Sequence, residues 1–261
     1  MADPIRELFG LDGRVAVVTG ASGGLGSASA AVLADLGARV WVTDHPAGAE
    51  GLGRTAALLG ERCGGSVAFD VAEPGAAERM VAEVLNASGR LDVLVHHAGV
   101  MARGPSFETE VKDWQRILDV NITGTWLTAR AAAAAMVEGG AGGRIVTTGS
   151  IYSKIIGPIP EPAYYASKAA VANLTRGLAS EWGPHGVTVN CVAPGVFYPT
   201  GMTQALGDAP NVLARMTERT LLKRLGDPER DLRGVIALLA SDASSYLTGQ
   251  TIYVDGGWTA W

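Results

Sequence analysis

The chain has 261 residues, 48% of them hydrophobic and 18% charged, and a formal net charge of −5. That composition supplies apolar material for a sizeable core and excludes a disordered chain. No cluster of Lys and Arg forms the basic stripe that phosphate-backbone binding needs, so nucleic acid is not an expected partner.

The first ten residues carry Asp3, Arg6 and Glu7 and no apolar run, which argues against a signal peptide. The longest apolar stretch, Ala129–Val137, is too short for a bilayer, so no membrane association is expected. Cys63 lies beside Gly64-Gly65 in an expected loop, and Cys191 lies in the apolar run Val187–Val192. Neither has a CxxC partner, so no disulfide and no metal site are expected, and a reduced cytoplasm fits.

A first strand is predicted over Arg14–Thr19 and a helix over Leu25–Leu36, joined by Gly20-Ala-Ser-Gly-Gly-Leu-Gly26. Glycines at 20, 24 and 26 permit a tight turn, a close pyrophosphate and close helix–sheet packing, and the helix N-terminus offers free N–H groups to an anion. Placed between a strand and a helix, this loop reads as a dinucleotide cradle rather than a plain turn. The second strand, Arg39–Thr43, ends in Asp44, whose carboxylate can accept the adenosine ribose hydroxyls and would repel a 2′-phosphate. No Arg or Lys follows Asp44 or sits in the glycine loop, so the expected cofactor is NAD rather than NADP.

A helix over Glu50–Arg62 leads to a third strand, Ser66–Phe69, followed by Asp70 and Val71. Asp70 is assigned to the adenine amino group; an N-cap role toward 74–80 would look the same. After a helix over Ala76–Ser88, the fourth strand, Leu91–Val95, runs into His96-His97-Ala98-Gly99. The two histidines face opposite sides of an extended segment and so cannot chelate one metal together. A long helical pattern over Glu108–Val137 contains Leu118-Asp-Val-Asn-Ile-Thr-Gly-Thr-Trp126, poor helix formers that predict a local distortion around Asn121 and a main-chain carbonyl freed for water. Packing alone would also account for Gly124.

The fifth strand, Arg144–Thr148, delivers Ser150 at its carboxyl end, and the helix over Ala163–Trp182 carries Tyr164-Tyr-Ala-Ser-Lys168. Residues four apart share a helix face, so the phenol and ammonium lie side by side. A phenol with ordinary pKa near 10 is a poor base, and a neighbouring cation favours its phenolate. Tyr164 can then take the proton of an alcohol as hydride leaves for the cofactor. Tyr165, three residues from Lys168, is the rival. The last strands, Val187–Val192 and Thr251–Val254, flank a helix over Glu229–Ser241. Near-continuous apolar strands alternating with helices predict a parallel sheet covered on both faces.

From Thr19-Gly-Ala-Ser-Gly-Gly-Leu-Gly26 to Tyr246-Leu-Thr-Gly-Gln-Thr-Ile-Tyr-Val-Asp-Gly-Gly257, the chain resembles the short-chain dehydrogenase/reductases. The resemblance implies one Rossmann domain spanning 1–261, a doubly wound seven-stranded parallel sheet, and a homotetramer. It implies a catalytic tetrad of Asn121, Ser150, Tyr164 and Lys168, with Lys168 also on the nicotinamide ribose and Asn121 holding a relay water. It implies that Gly20, Ser22, Gly24, Leu25, Gly26, Asp44, Asp70, Val71, His97, Ala98 and Gly99 line the dinucleotide. Pro194, Gly195, Val196 and Thr200 would hold the nicotinamide end.

Three departures stand out. His96-His97 replaces the family's Asn-Asn, a structural substitution that leaves room for a ribose contact or pH sensing. Ser150 lies one residue further from Tyr164 than is commonest, with Ser153 as the fallback. Phe197-Tyr-Pro-Thr200 is one residue longer than usual. Specificity is expected in Val100–Phe107, Ile151–Pro162 and Val196–Met216, the last as a lid. Arg103, Lys154 and Arg215 are the candidate anion contacts, each otherwise a solvated charge. Leu8–Arg14 and Tyr253–Trp258 resemble bacterial sugar-acid and polyol dehydrogenases, which points to a small polyhydroxy substrate. A 3-oxoacyl-carrier-protein reductase and a non-catalytic NAD(H)-sensing regulator are the alternatives. Trp258 and Trp261 are expected at a subunit interface.

Overall fold

Val15-Ala-Val-Val-Thr19 is buried at every position, which an extended run achieves only when both faces of its sheet are covered. Val17 joins one apolar cluster and Val18 the other, as the period of two requires. Residues 4–260 are described by the structure, a computed structural model. Along the chain run α1 (Pro4–Phe9), β1 (Val15–Thr19), α2 (Gly24–Asp35), β2 (Arg39–Asp44), α3 (Ala49–Leu59), β3 (Cys63–Ala68), α4 (Ala76–Ser88) and β4 (Val93–His96). There follow α5 (Val111–Leu118), α6 (Thr125–Glu138), β5 (Gly143–Thr148), α7 (Pro162–Trp182), β6 (Val187–Pro194), α8 (Pro210–Arg219), α9 (Arg233–Ala240) and β7 (Thr251–Val254).

The seven strands lie in the order β3-β2-β1-β4-β5-β6-β7, every neighbouring pair parallel. The order reverses at β1, between β2 and β4, which opens a crevice at the carboxyl ends of these strands. One face is packed by Met80, Val84, Met136, Leu178 and Trp182 from α4, α6 and α7. The other is packed by Leu33, Leu52, Ile236 and Leu239 from α2, α3 and α9. Each such side chain contributes roughly 1.5–3 kcal/mol by burial. This is the single-domain, doubly wound arrangement that the alternation of strands and helices predicts.

The expected boundaries shift where glycine hides a strand or polar residues hide a distortion. Cys63 opens β3 rather than lying in a loop, because Gly64 and Gly65 let the backbone lie flat on the Trp41 indole; a Cβ on Gly64 would fall 2.4 Å from Trp41 Nε1. The long pattern over Glu108–Val137 divides into α5, a π-helical turn over Asp119–Gly124, and α6. Gly124 is there for packing, since a Cβ would sit 2.6 Å from Val71 Cγ2. Within the expected lid, α8 begins with Pro210 at its first turn.

A third apolar cluster of Ile151, Leu206, Met216 and Trp258 roofs the carboxyl edge of the sheet. Trp258 is 2% exposed within its own chain, with the Arg219 guanidinium 5.4 Å from its ring. It therefore seals this roof instead of offering a surface to a neighbour; Trp261 lies outside the described residues. No helix among the described residues is long and apolar enough to cross a membrane.

Candidate active site

The crevice at the reversal of strand order is a cleft of about 600 Å³. Its floor begins at the turn between β1 and α2. Gly20 has φ +67°, and a Cβ there would lie 2.9 Å from the Ala98 backbone nitrogen. A Cβ on Gly26 would lie 2.1 Å from the Gly20 carbonyl oxygen. Both glycines are thus fixed by close approach, and Gly20, Ser22, Gly24, Leu25 and Gly26 all line the cleft. The N-terminus of α2 faces this space, the arrangement that suits a pyrophosphate.

Asp44 ends β2 at the cleft wall, where its carboxylate accepts the backbone N–H groups of Ser22 at 2.9 Å and His45 at 2.7 Å. It braces the glycine loop while facing the space where a ribose would lie. Asp70 is also on the wall, but its oxygens are engaged: Oδ1 accepts Ala72 N–H at 2.9 Å and Oδ2 accepts Arg116 at 3.1 Å. Burial alone would raise its pKa; the Ala72 hydrogen bond, Arg116 and His45 outweigh that and hold it below the ordinary carboxylate range. Val71, Ala98, Gly99, Pro194, Gly195 and Thr200 line the same cleft. Val196 does not; its side chain packs in the roof cluster and its carbonyl accepts Gly226 N–H.

At the other end of the cleft stand Ser150, Tyr164 and Lys168. Lys168 is 4% exposed, its Nζ donating to the Thr148 carbonyl at 2.8 Å and lying 5.5 Å from the Tyr164 ring centre. Burial pushes this ammonium down to about 8. Burial also pushes the Tyr164 phenol up, with the Glu161 carboxylate adding to the shift and a hydrogen bond with Ser150 opposing it. The protein alone therefore holds Tyr164 as a neutral phenol, a proton donor. Met202 from the expected lid caps it, its sulfur 3.9 Å from the phenol oxygen.

The hydroxyls of the two alternative residues are engaged away from the cleft. Ser153 Oγ donates to the Lys168 carbonyl at 2.9 Å and lies outside the cleft, which leaves Ser150 beside Tyr164. Tyr165 donates to the Ile159 carbonyl and packs edge-on to Tyr152, away from the cleft.

Asn121 lies behind the cleft in the π-helical turn, 1% exposed. Its amide clasps Val100 twice, accepting from N–H at 2.8 Å and donating to the carbonyl at 2.9 Å, and also donates to Ser167 Oγ. Its own carbonyl accepts the Thr125 hydroxyl at 2.6 Å. The distortion expected around Asn121 is present, but one lone pair of the freed carbonyl is taken by Thr125.

The two histidines diverge as the strand period requires. Thr148 gives its hydroxyl proton to the His96 carbonyl at 2.7 Å, so at 2.8 Å it can only accept from His97 Nδ1–H. His97 Nε2 then accepts from Ser29 Oγ at 2.8 Å, which fixes the neutral tautomer. His96 Nδ1 meets Thr19 Oγ1 at 3.1 Å, and its buried Nε2 has no partner among the described residues. Burial pushes both rings down to about 3, with Lys168 adding to the shift. His96 is buried away from water, whereas His97 is half-buried and lines the cleft.

Phe69, His45, Arg116, Met202 and Thr203 also line the cleft without having been singled out in the sequence. Phe69 and His45 adjoin residues that were, so strand ends carried a signal. Arg116 and Met202 arrive from α5 and the expected lid, where no local pattern marks them. Of the candidate anion contacts, Lys154 lies 5.6 Å from the Tyr253 ring centre, and Arg215 lines a separate depression beside Trp258. Arg103 is exposed and donates from Nε to the buried Glu161 at 2.9 Å; neither residue lines the cleft.

The sequence profile described as Enoyl-(Acyl carrier protein) reductase matches residues 20–259. The chain belongs to the short-chain dehydrogenase/reductase family. This short-chain dehydrogenase/reductase is 37% identical to the galactitol 2-dehydrogenase (L-tagatose-forming) of Cereibacter sphaeroides, over 98% of this chain and 99% of that protein. It is 38% identical to the 2-dehydro-3-deoxy-D-gluconate 5-dehydrogenase of Escherichia coli, with coverage of 98% and 99%. A gluconate 5-dehydrogenase from Burkholderia cenocepacia, solved with NADP and tartrate, superposes with a TM-score of 0.91 at 34% identity, covering 98% of this chain and 99% of that one. The family accounts for the nicotinamide cofactor and the oxidoreductase chemistry, and these relatives are sugar-acid and polyol dehydrogenases.

Proposed function

We propose that this protein is an NAD-dependent dehydrogenase that interconverts a secondary alcohol and a ketone, or a hemiacetal and a lactone, on a sugar, sugar acid or polyol. The observation that carries the reading is the Tyr164–Lys168 pair beside Ser150 in the same cleft as the glycine cradle and Asp44. In the oxidative direction the CH–OH carbon becomes C=O, with one proton released. The nicotinamide, when bound, supplies the hydride acceptor. Ser150 holds the substrate oxygen, and Tyr164 takes its proton. Because burial favours the neutral phenol, base action needs positive charge nearby, from Lys168 and from the oxidised ring.

Asp44 supports NAD over NADP, since a 2′-phosphate would meet its carboxylate; the Burkholderia relative, solved with NADP, makes this the point to test first. Gly20, Ser22, Gly24, Leu25 and Gly26 fit the pyrophosphate. Val71, His97, Ala98 and Gly99 fit the middle of the dinucleotide, and Pro194, Gly195 and Thr200 the nicotinamide end. Asp70 would reach the adenine only in competition with Arg116. Residues 196–216 act as the lid, with Met202 displaced by substrate. The free thiols of Cys63 and Cys191 support a reducing cytoplasm, and family likeness supports a homotetramer.

A parallel assay of NAD⁺ and NADP⁺ against hexitols, pentitols, aldonates and simple secondary alcohols tests the reading. Reduction of NAD⁺ by one polyhydroxy class is expected. Faster turnover with NADP⁺ would overturn the cofactor assignment, and activity confined to acyl thioesters would overturn the substrate class.

A further inference from the structure

After β6 the chain meets the glycine cradle at Thr200. Thr200 lines the cleft, and a Cβ on Gly24 would lie 3.5 Å from the Thr200 Cβ, so lid and cradle come together here. The turn is held by Thr203, which lines the same cleft. The Thr203 hydroxyl donates to the Phe197 carbonyl at 2.7 Å. It accepts the Thr200 N–H at 3.0 Å and meets the Thr200 hydroxyl at 2.8 Å. The N–H groups of Thr203 and Gln204 donate back to the Thr200 carbonyl at 3.0 and 2.8 Å.

A hydroxyl has one proton and two lone pairs, which fixes the direction of the bond between the two threonines. The Phe197 carbonyl can only accept, so it takes the one proton of Thr203, and Thr200 must give its own hydroxyl proton to Thr203. Thr203 is then saturated, with one bond donated and two accepted. Thr200 has its N–H, its hydroxyl proton and its carbonyl engaged within the turn, and its Oγ1 accepts from no donor among the described residues. Thr200 therefore offers the cleft lone pairs without a proton. A phosphate oxygen, itself an acceptor, gains nothing from such a group. An N–H does.

We infer that Thr203 is a positioning residue that sets the polarity of Thr200, so that Thr200 accepts an N–H of the nicotinamide carboxamide and discriminates against a nicotinamide end that lacks one. The inference rests on the placement of the nicotinamide beside Pro194, Gly195 and Thr200 proposed above, and deepens it. A carboxamide carries a donor and an acceptor on one rotatable group, and a threonine free to turn its hydroxyl could pair with either. With the Thr200 proton held by Thr203, only the N–H side is matched, which favours one orientation of the carboxamide. An acceptor set against an acceptor leaves both without a partner, and hydrogen-bonding sites reject mismatched ligands in this way.

The test is calorimetric binding, to the full chain without substrate, of NAD⁺ and of 3-acetylpyridine adenine dinucleotide, in which a methyl group replaces the amide NH₂. The wild-type protein should bind NAD⁺ about tenfold or more tightly than the analogue. Thr203→Val keeps the shape and frees the Thr200 proton, which can then be donated to the analogue's carbonyl. The ratio should fall to about threefold or less through tighter binding of the analogue, with NAD⁺ affinity within about threefold of wild type. Thr203→Ser should keep the wild-type ratio. A wild-type protein that binds both dinucleotides alike overturns the inference and leaves the dehydrogenase reading intact. A folded Thr203→Val protein whose ratio is unmoved also overturns it. So does a ratio that falls only through weaker NAD⁺ binding, since that is the mark of a loosened turn. Failure of the wild-type protein to bind NAD⁺ removes the cofactor reading and this inference with it.

Discussion

The Lys168 ammonium lies 5.5 Å from the ring centre of Tyr164, one helical turn along α7, and both side chains are buried. Burial disfavours the charged form of each, so the ammonium falls to about 8 while the phenol rises. The pair is thus held with its acid forms close together and its base form withheld until further positive charge arrives.

Tyr164→Phe should lower kcat by at least about a thousandfold, since it deletes the general acid and base, with NADH affinity changed less than about threefold. Turnover and NADH fluorescence, measured on the same preparation, check this. Residual activity near wild type would return the role to Tyr165, despite its engagement with the Ile159 carbonyl.

Asp44→Ala should raise KM for NAD⁺ roughly tenfold or more while changing that for NADP⁺ less, because a charged acceptor contributes about 1.5–3 kcal/mol to a hydrogen bond. The same variant leaves the Ser22 N–H without its acceptor, so a lower melting temperature should accompany the change. An equal loss with both cofactors would mean that Asp44 acts only by bracing the loop.

The sheet, its order of elements and most of the cleft wall were legible because local rules and tertiary demands agree there. Gly20 and Gly26 show this: their spacing between a strand and a helix matches the contacts that a Cβ would violate. The start of β3 was not legible, since Gly64 and Gly65 read as a loop until Trp41 is placed over them. Arg103 and Glu161 were not legible as a pair because loops far apart in sequence bring them together. Trp258 was misplaced for a similar reason: the roof cluster that takes it up has no periodic signature.

His96 and His97 should make the protein acid-labile. Both rings stay neutral in the fold down to about 3, whereas an unfolded histidine takes a proton near 6.5. Between these values the unfolded chain binds more protons, so stability falls as pH drops from 6.5 toward 3, and these two groups contribute no pH dependence above that window. For the fully buried His96 the loss reaches on the order of 4 kcal/mol at the acid end. His96→Asn should therefore flatten the dependence of melting temperature on pH below 6.5, as scanning calorimetry across pH 4–8 would show. A wild-type curve that is flat in that range would contradict the burial of these rings as neutral groups.

Lys168→Met should abolish turnover and yet raise the melting temperature at pH 7. The folded protein holds Lys168 at about 8 against an ordinary 10.5, so below pH 8 the buried charge costs the fold roughly 3 kcal/mol. As pH rises through 8 the folded chain sheds this proton before the unfolded chain does, and the cost shrinks until it vanishes near 10.5. The advantage of the variant over wild type should therefore be largest at or below pH 8 and decline above it. Methionine forfeits the hydrogen bond to the Thr148 carbonyl, which offsets about 1 kcal/mol of the gain. Such a gain is the signature of a side chain buried as a charge for its chemistry and not for the stability of the fold. A variant less stable than wild type throughout this range would instead make Lys168 a net structural support.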